Sequence, residues 1–470
     1  METTGPDTWT YAPPAPEAVR AAPGNRFLTA LGVLLLAYVL MGRGAAYVGV
    51  PPLFIGEIVL AAGLAVVVLA RRTPRLVPTA AMGGLALLIV WIGVLVVGAV
   101  PGYGLDAVRD GMIVGYGLFA FVVAGLVLER PERLRTLLVR YRILAAALLT
   151  LGWGFYLVVR MVPGTFPPVP WAPEVEIIET KPGDLLVHFA AVTAFFILGW
   201  KRATPVWLAL LVVGASVLMV SNRGGMVAFF AAMALFAALK PQTARFGRLA
   251  YAGVLFVVLA LAVDTSEIEI NEGTRSVSVE QVWENVESVF GRSDSRMLNA
   301  TAEWRLQWWR QIVGYTFGGD HFLSGKGFGL NLATADGFRV DREESLRSPH
   351  NGHLTILARG GVPLFLMWVL VQGLWLWEVV RARNRAARAG QRAWVGFFAL
   401  VAAFWVAAHV NASFDVYLEG PMGGIWFWTV FGLGMAGARL QRTHPHLLDG
   451  LRERAPVAPE QRRFEWSVPR

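Results

Sequence analysis

The chain alternates long apolar runs with short polar connections. Runs close to the ~20 residues that cross a bilayer as a helix lie near 28–48, 52–70, 78–99, 111–128, 143–161, 185–200, 204–220, 225–239, 249–264, 349–380, 393–411 and 422–438. The pattern predicts an all-α polytopic membrane protein with about 12 spans, since a helix satisfies its own backbone groups in lipid. Two connections are long: the Pro-rich 162–184 and the 84-residue stretch 265–348 between the ninth and tenth spans. Residues 1–25, rich in Pro and Ala and without a trusted cleavage pattern, read as a disordered tail before a retained first helix. The chain thus divides into a tail (1–25), spans one to nine (26–264), an outer loop (265–348), spans ten to twelve (349–440) and a second tail (441–470).

Composition agrees. With 55% hydrophobic and 16% charged residues, the chain is too apolar for a soluble domain, where charged residues approach 25%. The absence of cysteine excludes disulfides, thiolate metal sites and cysteine nucleophiles. A net charge of +9 would suggest nucleic acid in a soluble protein. Here 27 of the 42 basic residues fall in the two tails and in alternate connections, for example Arg71, Arg72 and Arg75, or Arg130 to Arg142. That asymmetry reports orientation. It places both termini in the cytoplasm and leaves no reason to expect a nucleic-acid partner.

The informative cations are those that orientation does not explain. Arg223 sits in Ser221-Asn222-Arg223-Gly224-Gly225, a tight turn expected at the outer face, where a planar guanidinium suits phosphate. The long outer loop is acidic, yet its run 296–315 has helical periodicity with Arg305 and Arg310 flanking the apolar stripe. With Trp304, Trp308 and Trp309 this helix is expected to lie along the membrane surface. Its arginines either meet phosphate there or snorkel and pair with Glu303. Arg109 precedes the fourth span and either pairs with Asp106 at i, i+3 or contacts phosphate. Gly325-Lys326-Gly327-Phe328-Gly329 reads as a turn or a phosphate nest, without P-loop spacing.

Ser348-Pro349-His350-Asn351-Gly352-His353 opens the tenth span. Ser348 as N-cap and Pro349 at the first helical position would put His350 in the first turn. There the helix dipole favours a neutral imidazole that can accept a proton. The other reading is a histidine that only caps the helix. Asn351 and His353 are possible polar contacts to a glycan or acceptor, as is Asp415, one of several outward acids with Glu57 and Glu419. Gly360-Gly361 with Pro363 should kink the helix or allow close packing. A base among arginines, with no nucleotide motif in the chain, suits transfer of a glycan from a membrane-embedded lipid diphosphate. The absence of internal repeats argues against many transporter folds.

From His350 to Pro363 the sequence resembles the H-N-x-x-L…G-x-P signature of the O-antigen ligase and polymerase family, with Leu364 where the family usually has a second glycine. Ser221 to Gly225 is similar to its S-x-R-G turn. Arg305 with Trp309 and Gly325 to Gly329 are similar to its R-x-x-x-W…G-x-G-x-G run, and Phe414 through Pro421 to its stretch before the last span. The resemblance implies a GT-C-like membrane glycosyltransferase that uses neither metal nor nucleotide cofactor. Its partners would be an undecaprenyl-diphosphate-linked glycan donor, a glycan, lipid or protein acceptor, and membrane lipids. It implies His350 as general base and Arg223 and Arg305 as diphosphate ligands, with Arg310 and Arg109 as further candidates from their placement. A flippase or exporter of the same lipid-linked glycan is the alternative, and it needs the arginines but no base.

Overall fold

The computed structural model describes residues 23–51, 53–69, 79–240, 296–342 and 346–452, with side chains of the 296–302 stretch excepted. The predicted run 249–264, both tails from 1 to 22 and from 453 to 470, and loop residues 265–295 lie outside the described residues. Every other predicted apolar run falls on a helix: α1 (Pro23–Met41), α3 (Ile55–Leu69), α4 (Ala80–Tyr103), the bent pair α5 (Leu105–Gly115) and α6 (Leu118–Glu129), α7 (Glu132–Met161), α8 (Pro182–Ile197), α9 (Pro205–Ser221), α10 (Arg223–Leu239), α13 (Gly352–Arg388), α14 (Arg392–Ala412) and α15 (Pro421–Thr443). Shorter helices are α2 (Arg43–Ala46) and, in the long loop, α11 (Arg296–Phe317) and α12 (Leu332–Asp336).

Among the described residues, 5 helices are long and apolar enough to cross a membrane, or 6 with the bent pair counted as one span. α3, α8, α9 and α10 are apolar but shorter. Of the about twelve expected spans, five or six are thus long apolar helices among the described residues and four more are shorter apolar helices. The all-α expectation also acquires an exception. Two small antiparallel pairs occur, Gly49–Val50 with Leu53–Phe54, and Pro168–Val169 with Ala172–Glu176 inside the Pro-rich connection.

Local chemistry sets the helix starts. Thr79, Thr204 and Asn222 accept hydrogen bonds from Met82, Trp207 and Gly225 N–H, and Pro182, Pro205 and Pro421 stand where a helix's first N–H groups need no partner. α14 is the bundle's centre, packed by α8, α10, α13 and α15. α15 closes on α6 at Gly432, where a Cβ would stand 2.4 Å from the Ala120 carbonyl oxygen, so only glycine permits that approach.

The kink foreseen in the tenth span is a full break. Gly361 has φ 72° and ψ −175°, a region open in practice to glycine alone. A break strands backbone groups that must be paired. Residues 322–330 pair them: Lys326 N–H donates to Ala358 O at 2.7 Å, Gly327 N–H to Arg359 O at 3.0 Å, and Val362 N–H to Phe322 O at 2.8 Å. The glycine-rich run is therefore a clamp on this helix. Arg359, 2% exposed, is held by Asp110 at 2.8 Å and by the carbonyls of Gly327 and Leu330.

α11 forms where periodicity placed it, but its tryptophans do not face lipid headgroups. Trp308 is fully buried against Ile312, Leu332 and Leu357 and donates to Asp336, and Trp309 donates to the Pro349 carbonyl at 2.8 Å. The helix is docked on α13 by these bonds.

Candidate functional site

One end of the bundle encloses a cavity of about 670 Å³. Its wall comes from the end of α1 with α2, the start of α8, the side of α11, residues 346–350 and the connection 416–422. Four cations line it: Arg43, Lys181, Arg305 and Arg347, with His350 among them.

His350 does not occupy the first turn of a helix. Asn351 is the N-cap, accepting from His353 and Leu354 N–H, both at 3.1 Å, and α13 begins at Gly352. The Ser348 cap and the dipole argument built on it are corrected accordingly. Asn outcompetes Ser348 because its carbonyl reaches both free N–H groups from one position. His350 lies just before the cap with φ 50°, the one non-glycine residue with positive φ among the described residues. This left-handed turn carries the ring off the helix axis, so that Nδ1 stands 3.5 Å from Asp415 Oδ1.

Asp415 is the hub of the site. It pairs with Lys181 Nζ at 3.0 and 3.1 Å and accepts from Val416 N–H at 2.7 Å. Burial alone would raise its pKa, but the His350 ring, the Lys181 ammonium and the Val416 N–H overcome burial and hold it well below the ordinary carboxylate range. Burial would lower the Lys181 pKa, but the carboxylates of Asp415 and Asp184 together outweigh burial and raise it, so the ammonium is retained. The neighbouring Glu419 behaves oppositely: burial raises it, although Thr355 donates to it at 2.8 Å and Ser348 also bonds it.

The Phe414–Asp415 turn also gathers two of the predicted arginines. Arg305 Nη1 donates to the Phe414 carbonyl at 3.2 Å. Its buried Nε has no hydrogen-bond partner among the described residues, and burial depresses its pKa against the opposing pull of Asp415. Arg223 is the first residue of α10, which rests on the same turn: a Cβ on Gly224 would stand 2.7 Å from that of Phe414. Arg223 itself does not line the cavity.

The remaining predicted residues lie elsewhere. Arg109 is half exposed, paired with Asp106 at 3.1 Å and Asp110 at 3.8 Å, and does not line the cavity. Arg310 is exposed on α11, also off the cavity. Asn351 is engaged in capping. His353 is inside the bundle, with Nε2 3.0 Å from the His409 carbonyl, Nδ1 accepting from Trp368, and its ring stacked on His409. Among the described residues no cluster of three His, Asp or Glu could hold a metal ion.

Lys181, Arg347 and Arg43 were not singled out in the sequence. Arg347 bonds Asp106 at 3.2 Å and the Gly329 carbonyl at 2.9 Å, and its buried Nε has no hydrogen-bond partner among the described residues. Arg43 pairs with Glu179 at 3.1 Å. The signal was present for Lys181: a lysine in an outer connection is the same exception to orientation that marked Arg223.

Fold and site together define a helical membrane protein with a cation-walled cavity at one bundle end and a carboxylate-backed histidine inside it. Residues 208–369 match the family model described as O-antigen ligase, so this segment of the chain is similar to that family. The matched stretch holds Arg223, Arg305, Arg347 and His350, whereas Lys181 and Asp415 lie outside it. No curated protein matches the chain.

Proposed function

We propose that the protein is a membrane glycosyltransferase that moves a glycan from an undecaprenyl-diphosphate-linked donor to an acceptor hydroxyl on the outer face of the cytoplasmic membrane. The observation that carries this reading is His350 in the cavity with Asp415 behind it and Arg305 and Arg347 beside it. Nδ1–H of His350 points to Asp415, which fixes the tautomer and leaves Nε2 to accept the acceptor's proton, the arrangement of a histidine base oriented by a carboxylate. As the hydroxyl oxygen bonds the anomeric carbon, its proton passes to Nε2 and the bond from that carbon to the diphosphate oxygen breaks. The negative charge that grows on the diphosphate is met by guanidinium N–H groups held ready in the wall by Arg305 and Arg347. Asp415, ionised, stabilises the imidazolium until the proton leaves to water.

The test is transfer by purified protein in lipid, given undecaprenyl-diphosphate glycan and candidate lipid, glycan and protein acceptors. Product formed by the wild type and abolished in His350→Ala supports the reading. Movement of donor across the bilayer without any glycan product would replace it with transport.

A further inference from the structure

At the bundle end opposite the cavity, α13 and α15 present four arginines to one cleft of about 270 Å³: Arg381, Arg385, Arg439 and Arg442. Arg381 and Arg385 are i, i+4 on one helix and Arg439 and Arg442 i, i+3 on the other, so the pairs share faces. Like charges so placed repel. Arg381 and Arg442 both act on Arg385 as like charges, and Glu378 is the opposing carboxylate. Glu378 is already engaged, accepting from Ala81 N–H at 3.3 Å at the start of α4. Among the described residues the buried Nε of Arg385 has no hydrogen-bond partner. The cleft therefore holds an excess of positive charge and an unmet buried donor, the needs that a phosphate oxygen fills.

The lipid-facing side of α13 leads into it. Leu366, Leu370 and Trp377 are exposed at 58%, 52% and 54%, at helical spacing along one face, and Arg381 stands 5.1 Å from the Trp377 ring centroid as a cation–π pair. An apolar stripe that ends in an interfacial tryptophan and then a basic cleft has the profile of an acyl chain leading to a headgroup.

We propose that this cleft binds a phosphate-bearing anion, supplied by the adjacent leaflet as an anionic phospholipid headgroup. The experiment titrates full-length protein in detergent with phosphatidylglycerol, phosphatidylcholine and inorganic phosphate, reading bound lipid by native mass spectrometry. Phosphatidylglycerol is expected to bind in preference to phosphatidylcholine. Arg385→Gln with Arg442→Gln should weaken that binding about thirtyfold, while Arg26→Gln with Arg135→Gln, which removes the same charge elsewhere, leaves it intact. Arg385→Lys with Arg442→Lys, which keeps the charge, should retain most of it and guards against a misfolded glutamine variant. Equal binding of the two lipids by wild type, or an undiminished preference in the glutamine variant, overturns the site. Displacement of phosphatidylglycerol by an equal concentration of inorganic phosphate overturns the lipid assignment in favour of a free phosphate.

Discussion

His350 and Asp415, 65 residues apart, are joined across two helix ends, with the imidazole Nδ1 3.5 Å from the carboxylate Oδ1. The separation is long for a hydrogen bond, as is common for catalytic pairs before substrate tightens them. It follows that His350→Gln should lower kcat by about 10² to 10⁴ with donor binding retained, and Asp415→Asn should lower kcat less. Glycan transfer measured at saturating donor checks both; an unimpaired His350→Gln enzyme would remove the histidine from the chemistry.

Arg305 is expected to act on the diphosphate. Arg305→Ala should weaken donor binding by about 1.5–3 kcal/mol, the range for hydrogen bonds to charged groups, and Arg305→Lys should restore part of it because the charge survives without the planar fork. Direct binding of a lipid-linked diphosphate is the measurement. Equal affinity in wild type and Arg305→Ala would take this residue out of the site.

Acid should act on the Lys181–Asp415 pair with a definite sign. A carboxyl whose folded-state pKa is depressed contributes stability that is present in full above the unfolded value, near ~3.9, and is lost as pH falls through the folded value. Because Lys181 is 43% exposed, solvent screens the pair and its worth is about 1 kcal/mol. Asp415→Asn should thus be less stable than wild type at pH 7, with the gap closing as pH drops below 4. Thermal unfolding across that range tests it, and a gap that widens in acid refutes the pairing.

Asp110 neutralises Arg359 inside the protein. Asp110→Asn leaves a buried guanidinium uncompensated and should cost about 3–5 kcal/mol, whereas the joint change Asp110→Leu with Arg359→Met should cost much less. Urea or thermal unfolding of the three proteins decides it. Comparable loss in the single and the joint variants would show that packing, not charge, accounts for the effect.

Gly361→Ala should also destabilise. Its Cβ would stand 2.5 Å from the Phe322 carbonyl oxygen at a positive φ, and strain of this kind costs about 1–3 kcal/mol before the clash is counted. An alanine variant with wild-type unfolding would mean that the break is not a fixed feature.

Much of this organisation was legible in the sequence because a ~20-residue apolar run has few alternatives in lipid. The amphipathic period of 296–315, the kink at Gly361 and the Asp106–Arg109 pair were readable for the same reason, each being local. The N-terminus of α13 was misread locally too: both Ser348 and Asn351 are competent caps, and the choice rests on Trp309 and Asp415, which hold Pro349 and His350 from distant elements. Arg347 became visible as a site residue only when 179–188 and 346–350 met in one wall. Long-range pairing, not residue type, selects Asp415 from Glu57 and Glu419.

The break at Gly361 has a mechanical consequence. Residues 362–388 form a rod of about 40 Å, enough to cross a bilayer, whereas 352–360 hang from the 322–330 loop and from α11. Changes in acyl-chain length are therefore absorbed as tilt of the rod. The short upper piece, and His350 with it, keeps its depth by gripping protein instead of lipid.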